Sequence, residues 1–578
     1  MSTGSSSNAC KLLLLGRCLR AVLLSAGIQF QLLLVFLLLV NFQLLSPLDW
    51  VSGTVGLICS WYTWFASIPL LAAVVVYGVS LCQQHLVERP YCPTRYRWIL
   101  HYGPRKLFFL GAHLLVGFLT AWLYTGYLQT DYRHLSYKCY GEDCISGYHV
   151  YMLGMGLTAG CYYFVSVHKR QEVSIKFPIV EQTLGEKLRE LLYATLARSL
   201  VRSILPTLSY TMVFWILGRL VCQRLCHILD VNMDERMDGF FGVVSNVKLL
   251  FYGWLLTAQI LSNMHLMRSF YGILLCEDLP LVITKQKAAF ASEQEITLVS
   301  CLGVFNVYVV QCLAANYFYK LAMRKDSKQR AEIFQLTEPG NRPANWRALC
   351  DQCLVILNSF TDDLVESMQK ISVLKGAQNL PLPQTIDSTS TSIMAERLLL
   401  RQYNQLHGIR QIASPPRNVA MDQPADGIRH MPNWCERVST QLEEALHRLV
   451  KRVPGILYLF SEPEGSKTNF LLVNSQPLVY VTQALAQICA ASLNEDRYGV
   501  VQNDLPAIVK AINKLRGELD KLNSVMGNLR APSSEFNVLR SAVRRSLYTI
   551  CNAFCDYLGD LLPPGEELHQ LQAFIQQE

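Results

Sequence analysis

At 578 residues the chain is long enough for several domains, and with 51% hydrophobic against 17% charged residues it is too apolar for an ordinary soluble protein. A formal charge of +8 does not mark nucleic-acid binding here, because the basic residues concentrate in short stretches beside apolar runs, where they orient a membrane protein. The 19 cysteines do not form a disulfide framework either: Cys59, Cys82, Cys161 and Cys222 sit inside apolar segments, where a thiol acts as a small hydrophobe.

Residues 1–20 carry Lys11, Arg17 and Arg20 ahead of an apolar run long enough to span a bilayer, so they read as a cytoplasmic segment and not as a cleavable signal. A hydrocarbon core of ~30 Å takes about 20 apolar residues of helix. Six segments meet that length within a membrane domain over 21–275: 21–45, 55–82, 107–128, 148–167, 203–226 and 249–275. Pro69 lies inside the second and Pro206 near the start of the fifth, which spanning helices tolerate. Basic residues crowd the N-terminal segment, the second loop (Arg89, Arg95, Arg97, Arg105, Lys106) and the fourth (Lys169 to Arg202). The alternate loops hold only Arg133, Lys138, Arg236 and Lys248. This asymmetry predicts both termini on the cytoplasmic side, although Arg219 and Arg224 near the far end of the fifth span run against it.

The third loop contains Cys139-Tyr-Gly-Glu-Asp-Cys144. On the lumenal side it would meet an oxidising compartment where Cys139 and Cys144 can bridge; the alternative is two free thiols. The first four spans have no acidic or basic residue in their interiors, unlike a transporter or channel, which remains the competing class. His113 and His265 read as packing hydrogen-bonders, and Gly156 and Gly160 in the fourth span form a close-packing pattern. The region 276–375 follows the last span. Its apolar run Ile296–Leu321 could be a seventh span, but Gly303, Asn306, Gln311 and Asn316 interrupt it, so a packed or membrane-surface helix is expected.

The tail reads as helices around a polar, Pro-rich linker, 376–432, whose composition predicts disorder. Within the C-terminal helical domain, 433–578, the helix Trp434–Val453 places Trp434, Val438, Leu442 and Leu449 on one apolar stripe, with Arg437, Arg448, Lys451 and Arg452 beside it. That stripe is either core or a membrane face. Further helices are expected over Leu478–Leu493, Leu505–Val525, Ser534–Leu562 and Glu566–Gln576. No phosphate loop, dinucleotide fingerprint, His-Glu-x-x-His or nucleophile elbow occurs, and Cys350-x-x-Cys353 lacks two further ligands at zinc spacing. The expectation is therefore no enzyme, cofactor or small-molecule substrate. The fold class is all-α: a six-helix transmembrane bundle followed by a helical domain.

Four stretches of the tail make the reading specific. Arg330–Trp346 (RAEIFQLTEPGNRPANW), Phe460–Ser466 (FSEPEGS), Leu493–Ile508 (LNEDRYGVVQNDLPAI) and Val543–Ile550 (VRRSLYTI), in that order after the apolar spans, resemble the nuclear division cycle family of pore-membrane nucleoporins. The resemblance implies a protein of the nuclear envelope, embedded at the pore membrane with both termini on the pore side, that anchors nuclear pore complexes and supports their assembly. It implies soluble nucleoporins as partners of the tail, an ALADIN-type WD-repeat protein and an inner-ring RRM-type protein among them, and no direct nucleic-acid contact. It also places Ile296–Leu321 on the pore side. The central linker is shorter than in vertebrate relatives. Phe460, Glu495, Asp496, Arg497, Tyr498 and Gly499 carry the motifs; they read either as a buried junction or as a partner contact. One Phe-Gly, at Phe241-Gly242, is too few for a transport-barrier role.

Overall fold

The computed structural model describes residues 3–42, 46–86, 90–139, 142–168, 177, 184–233, 242–279, 281–283, 296–304, 307–324, 328–336, 342–378, 458–463, 465–526, 533–557, 559 and 571. The expected linker from residue 379 onward and the expected helix Trp434–Val453 lie outside them, as does most of Glu566–Gln576. What is described is almost entirely helical, as the apolar periodicity predicts.

The N-terminal half is a helical bundle. It contains α1 (Thr3–Val40), α2 (Pro47–Cys59), α3 (Trp61–Leu86), α4 (Arg95–Thr125), the short α5 (Thr130–Arg133), α6 (Gly147–His168), α7 (Leu184–Arg202), α8 (Ile204–Leu229) and α9 (Val247–Leu275). Four stretches among the described residues are long and apolar enough to cross a membrane: Leu12–Val40, Trp61–Cys82, Arg95–Thr125 and Gly185–Leu229. The expected spans 148–167 and 249–275 correspond to α6 and α9, which sit inside the bundle. Their buried faces hold Tyr151, Tyr163, Thr257, Gln259, Ser262 and Asn263.

Two devices hold the bundle together in an apolar solvent, where burial of hydrocarbon gives no net gain and packing and hydrogen bonds carry the association. The first is a glycine seam between α4 and α6. A Cβ on Gly160 would lie 2.5 Å from the His113 carbonyl oxygen, and one on Gly156 2.6 Å from that of Gly117, so only glycine lets these backbones meet. The second is a reciprocal amide pair between α1 and α9: Gln29 Nε2 donates to Asn263 Oδ1 at 2.5 Å, and Asn263 Nδ2 returns to Gln29 Oε1 at 2.7 Å. Gln259 Nε2 adds a bond to the Leu32 carbonyl. His113 is buried on α4, facing Tyr77 Oη at 3.3 Å and stacked on Tyr163; it packs helices, as does His265 against the Tyr163 ring.

α1 and α4 begin well before the apolar runs at 21 and 107, and in three further places the boundaries differ from the hydropathy reading for a local reason. The expected second span is broken at Ser60, which is extended (φ −64°, ψ 138°), so α2 stands apart from α3. The fifth apolar stretch starts earlier than Ser203. Leu188, Leu191, Leu192 and Leu196 of α7 form a helical stripe against Ile28, Leu32, Leu266 and Phe270, and Trp254 Nε1 reaches the Leu200 carbonyl at 3.0 Å. Glu186, Lys187, Arg189 and Glu190 in its first turns mask that stripe in an average. The run Ile296–Leu321 is divided into α10 (Leu298–Leu302) and α11 (Tyr308–Met323). At 16 residues α11 is too short to span, and Val309 to Phe318 are largely buried against the tail.

At the end of the bundle away from the tail lies a three-stranded sheet, β1 (Ser136–Cys139), β2 (Glu142–Ile145) and β3 (Asn232–Met233). β1 and β2 pair antiparallel, and β2 pairs with β3 in parallel. The tail domain adds α12 (Lys328–Phe334), α13 (Ala344–Gln378), α14 (Ser466–Val473), α15 (Gln476–Glu495), α16 (Leu505–Met526) and α17 (Ser534–Ala553). Their apolar faces form one core that includes Trp346, Leu357, Leu485, Ile512 and Leu547.

Candidate functional site: the seat of the tail on the membrane helices

The functional geometry of this chain is the joint between bundle and tail. At one contact, Arg17 of α1 is buried and donates to the carbonyls of Leu275, Glu277 and Asp278, at 3.3, 2.5 and 2.8 Å. These carbonyls close the C-terminus of α9, where the helix dipole favours a cation. Arg20 pairs with Glu277 at 3.8 Å and Lys320 of α11 with Asp278 at 2.9 Å, so one acidic turn ties α1, α9 and α11 together. About two turns before Arg17, Cys10 lies with its Sγ 3.4 Å from Cys301 Sγ on α10.

At the second contact, the turn before α4 meets the start of α14. Tyr91 Oη donates to the Glu462 carboxylate and lies 2.7 Å from Ser466 Oγ. Burial, then this carboxylate, pushes the Tyr91 phenol above its ordinary value. Arg95 donates to the Tyr458 carbonyl at 2.9 Å, with its guanidinium 3.8 Å from the Tyr458 ring centroid. Tyr96 stacks on Phe460 at 4.6 Å, and Tyr91 packs on Phe470 at 5.5 Å. Phe460, singled out by its motif, is thus a docking residue of the tail. Arg95 reads in the sequence only as an orienting charge, and Tyr91 and Tyr96 carry no motif; their basic and aromatic character is visible in the sequence, their partners 360 or more positions away are not.

A third set of contacts fixes the tail's own shape and joins two of the motifs. Arg330 is buried and forms a bidentate pair with Glu495, with a further bond to the Ala322 carbonyl at 3.0 Å. Trp346 Nε1 donates to Asp504 at 2.8 Å. Asp496 accepts from the backbone N–H of Tyr498 and of Val501, at 3.1 and 2.9 Å, and Gly499 has φ +65°. A side chain would be strained there. Glu495, Asp496 and Gly499 therefore build the turn between α15 and α16, while Arg497 and Tyr498 project into solvent.

Cys350 and Cys353 are buried on α13 with Cys489 nearby on α15; burial pushes the Cys350 thiol up to about 12 and the other two upward as well. At the far end of the bundle, Cys144 is buried and disulfide-bonded; the backbone of Cys139 is placed opposite Glu142, and its side chain lies outside the described ones.

Comparison with known proteins places the whole chain in one family. The family model described as nucleoporin protein Ndc1-Nup matches residues 12–572. The chain belongs to this family. It is 76% identical to nucleoporin Ndc1 of Drosophila melanogaster, with both chains covered in full, and 65% identical to that of Drosophila pseudoobscura pseudoobscura, again over the full length. To human nucleoporin NDC1 it is 21% identical over 94% of each chain. The chain is therefore a nucleoporin of the pore membrane, from a family of structural pore components and not a known enzyme family.

Proposed function

We propose that this nucleoporin anchors the nuclear pore complex in the nuclear envelope and supports pore assembly by holding soluble nucleoporins on its tail. The observation that carries the reading is the seat of the tail: Phe460, Tyr458 and Glu462 of the tail meet Tyr96 and Arg95 of α4 and Tyr91 just before it. A load on the tail then passes to the bilayer through packed side chains, as an anchor requires. In this reading α1, α3, α4, α6, the α7–α8 pair and α9 make six crossings, with both termini facing the pore. Cys139 is the partner of Cys144 on the lumenal side. The tail's partners are an ALADIN-type WD-repeat protein and an inner-ring RRM-type nucleoporin. Arg497 and Tyr498 are the motif residues free of structural duty and form the partner-facing part of their turn. The stripe Trp434, Val438, Leu442 and Leu449 covers either the tail core or the membrane surface. Co-purification from nuclear envelopes tests the proposal. The full chain retains soluble nucleoporins; a chain ending at residue 324 enters the membrane but retains none. Equal recovery from both chains would refute binding through the tail.

A further inference from the structure

Several basic groups on the tail side of the bundle are used within the protein: Arg17 and Arg20 on the end of α9, Arg95 on Tyr458, Lys320 on Asp278, Arg330 on Glu495. Arg97 and Arg105 differ. Among the described residues neither side chain has an ion-pair or hydrogen-bond partner. Lys106 has only the ring of Trp98, 4.1 Å from its Nζ. No Asp or Glu occurs in the sequence between Glu88 and Asp131, so nothing along this stretch offsets the charge.

The geometry of α4 fixes where these cations sit. The helix has 31 residues and is ~46 Å long at 1.5 Å per residue, against ~30 Å of hydrocarbon. Its far end is held at the polar surface by Tyr127 Oη on Thr63 and by Gln129 on Lys248. The excess of about ten residues therefore emerges on the tail side, and it is the stretch from Arg95 to Arg105. Arg97, His101 and Arg105 lie at i, i+4 and i+8 on one stripe; Trp98 and Lys106 flank it. Between them Ile99 is 48% and Leu100 62% exposed at a level where hydrocarbon gives way to headgroups. Tryptophan with lysine and arginine is the composition suited to that level, apolar toward the acyl chains and cationic toward phosphate. His101 Nε2 is buried without a partner among the described residues, which leaves a polar position within the stripe.

We infer that Arg97, Trp98, His101, Arg105 and Lys106 form a binding site for the headgroup of an anionic phospholipid, next to the Tyr96–Phe460 seat of the tail. The inference rests on α4 crossing the membrane and not on which face is the pore side. The site selects the phosphate and a second negative charge through the three cations, with the indole at glycerol depth. An occupied headgroup then sits beside the joint and stiffens it.

The test uses the full-length chain in lipid nanodiscs of phosphatidylcholine with a minor share of phosphatidylserine, and native mass spectrometry of the lipids it retains. The wild type should retain phosphatidylserine over phosphatidylcholine by at least about fivefold beyond the bulk ratio. R97Q/R105Q/K106Q should lose that preference, while R133Q/R219Q/R224Q, with equal charge removed elsewhere, should keep it. Retained preference in the first variant, or equal loss in both, overturns the site. Displacement of the lipid by inorganic phosphate alone would also overturn it, as a free-phosphate site. If the triple variant does not fold, two measurements decide: the wild-type preference must fall at high salt and in W98A, and a preference indifferent to both overturns the proposal.

Discussion

Arg330 and Glu495 are 165 positions apart and meet as a bidentate pair with the arginine buried. Removing one partner of such a pair leaves the other uncompensated, so Arg330→Ala should destabilise the tail by about 2–4 kcal/mol. Lys467→Ala breaks the more exposed pair with Glu366 and should cost under ~1 kcal/mol. Thermal unfolding of both variants in detergent would check the contrast, and equal shifts would count against a structural role for Arg330. The thiols give a second prediction. With Cys350 pushed up to about 12 by burial, its thiolate is scarce at pH 8, and Cys353 and Cys489 are shifted the same way. Iodoacetamide at that pH should modify exposed Cys555 in the folded chain and these three only after denaturation; rapid labelling of Cys350 in the folded chain would contradict the buried core. At this scale the sequence was only partly legible. Arg17 reads as an orienting charge because its ligands are carbonyls of a distant helix end, which no residue type announces. Glu495 and Asp496 read as an exposed turn or a contact, because backbone capping leaves no pattern beyond the residues themselves.

The element scale is where the apolar pattern was most informative and where its errors are most instructive. The glycines of α6 signalled close packing, and the structure supplies the partner, α4, with Gly117 facing Gly156. Gly160→Leu should force the two backbones apart and cost at least about 1–3 kcal/mol, whereas Gly111→Ala, where a Cβ meets nothing within 4 Å, should be neutral or slightly stabilising. Comparing the Tm of the two variants in the same detergent checks this; a neutral Gly160→Leu would deny the seam. Tyr96 and Phe460 form the corresponding joint between elements. A double-mutant cycle of Tyr96→Ala and Phe460→Ala should show a coupling of about 0.5–1.5 kcal/mol, and additivity would mean that the rings do not support one another. Where hydropathy misplaced boundaries, at Ser60 and before Ser203, the cause was averaging. A window cannot see one extended residue, nor an apolar stripe diluted by four charges.

For the whole molecule, the central claim is a membrane bundle with the tail fastened to the same end that carries the N-terminus. The all-α class was legible because apolar runs of span length and helical spacing need no tertiary information. The seat of the tail was not, since it depends on contacts between segments hundreds of positions apart. The contacts of Cys10 with Cys301 and of Arg17 with Asp278 put the N-terminus at the end of the bundle where the last bundle helix closes and the chain leaves for the tail, and the disulfide at Cys144 suits an oxidising compartment on the other. Protease protection on sealed nuclear-envelope vesicles, with a tag at each terminus and a third tag in the loop between Asp230 and Asn246, measures this directly. The account predicts that both terminal tags are cleaved together while the loop tag survives until detergent is added. Cleavage of one terminal tag with protection of the other would contradict it.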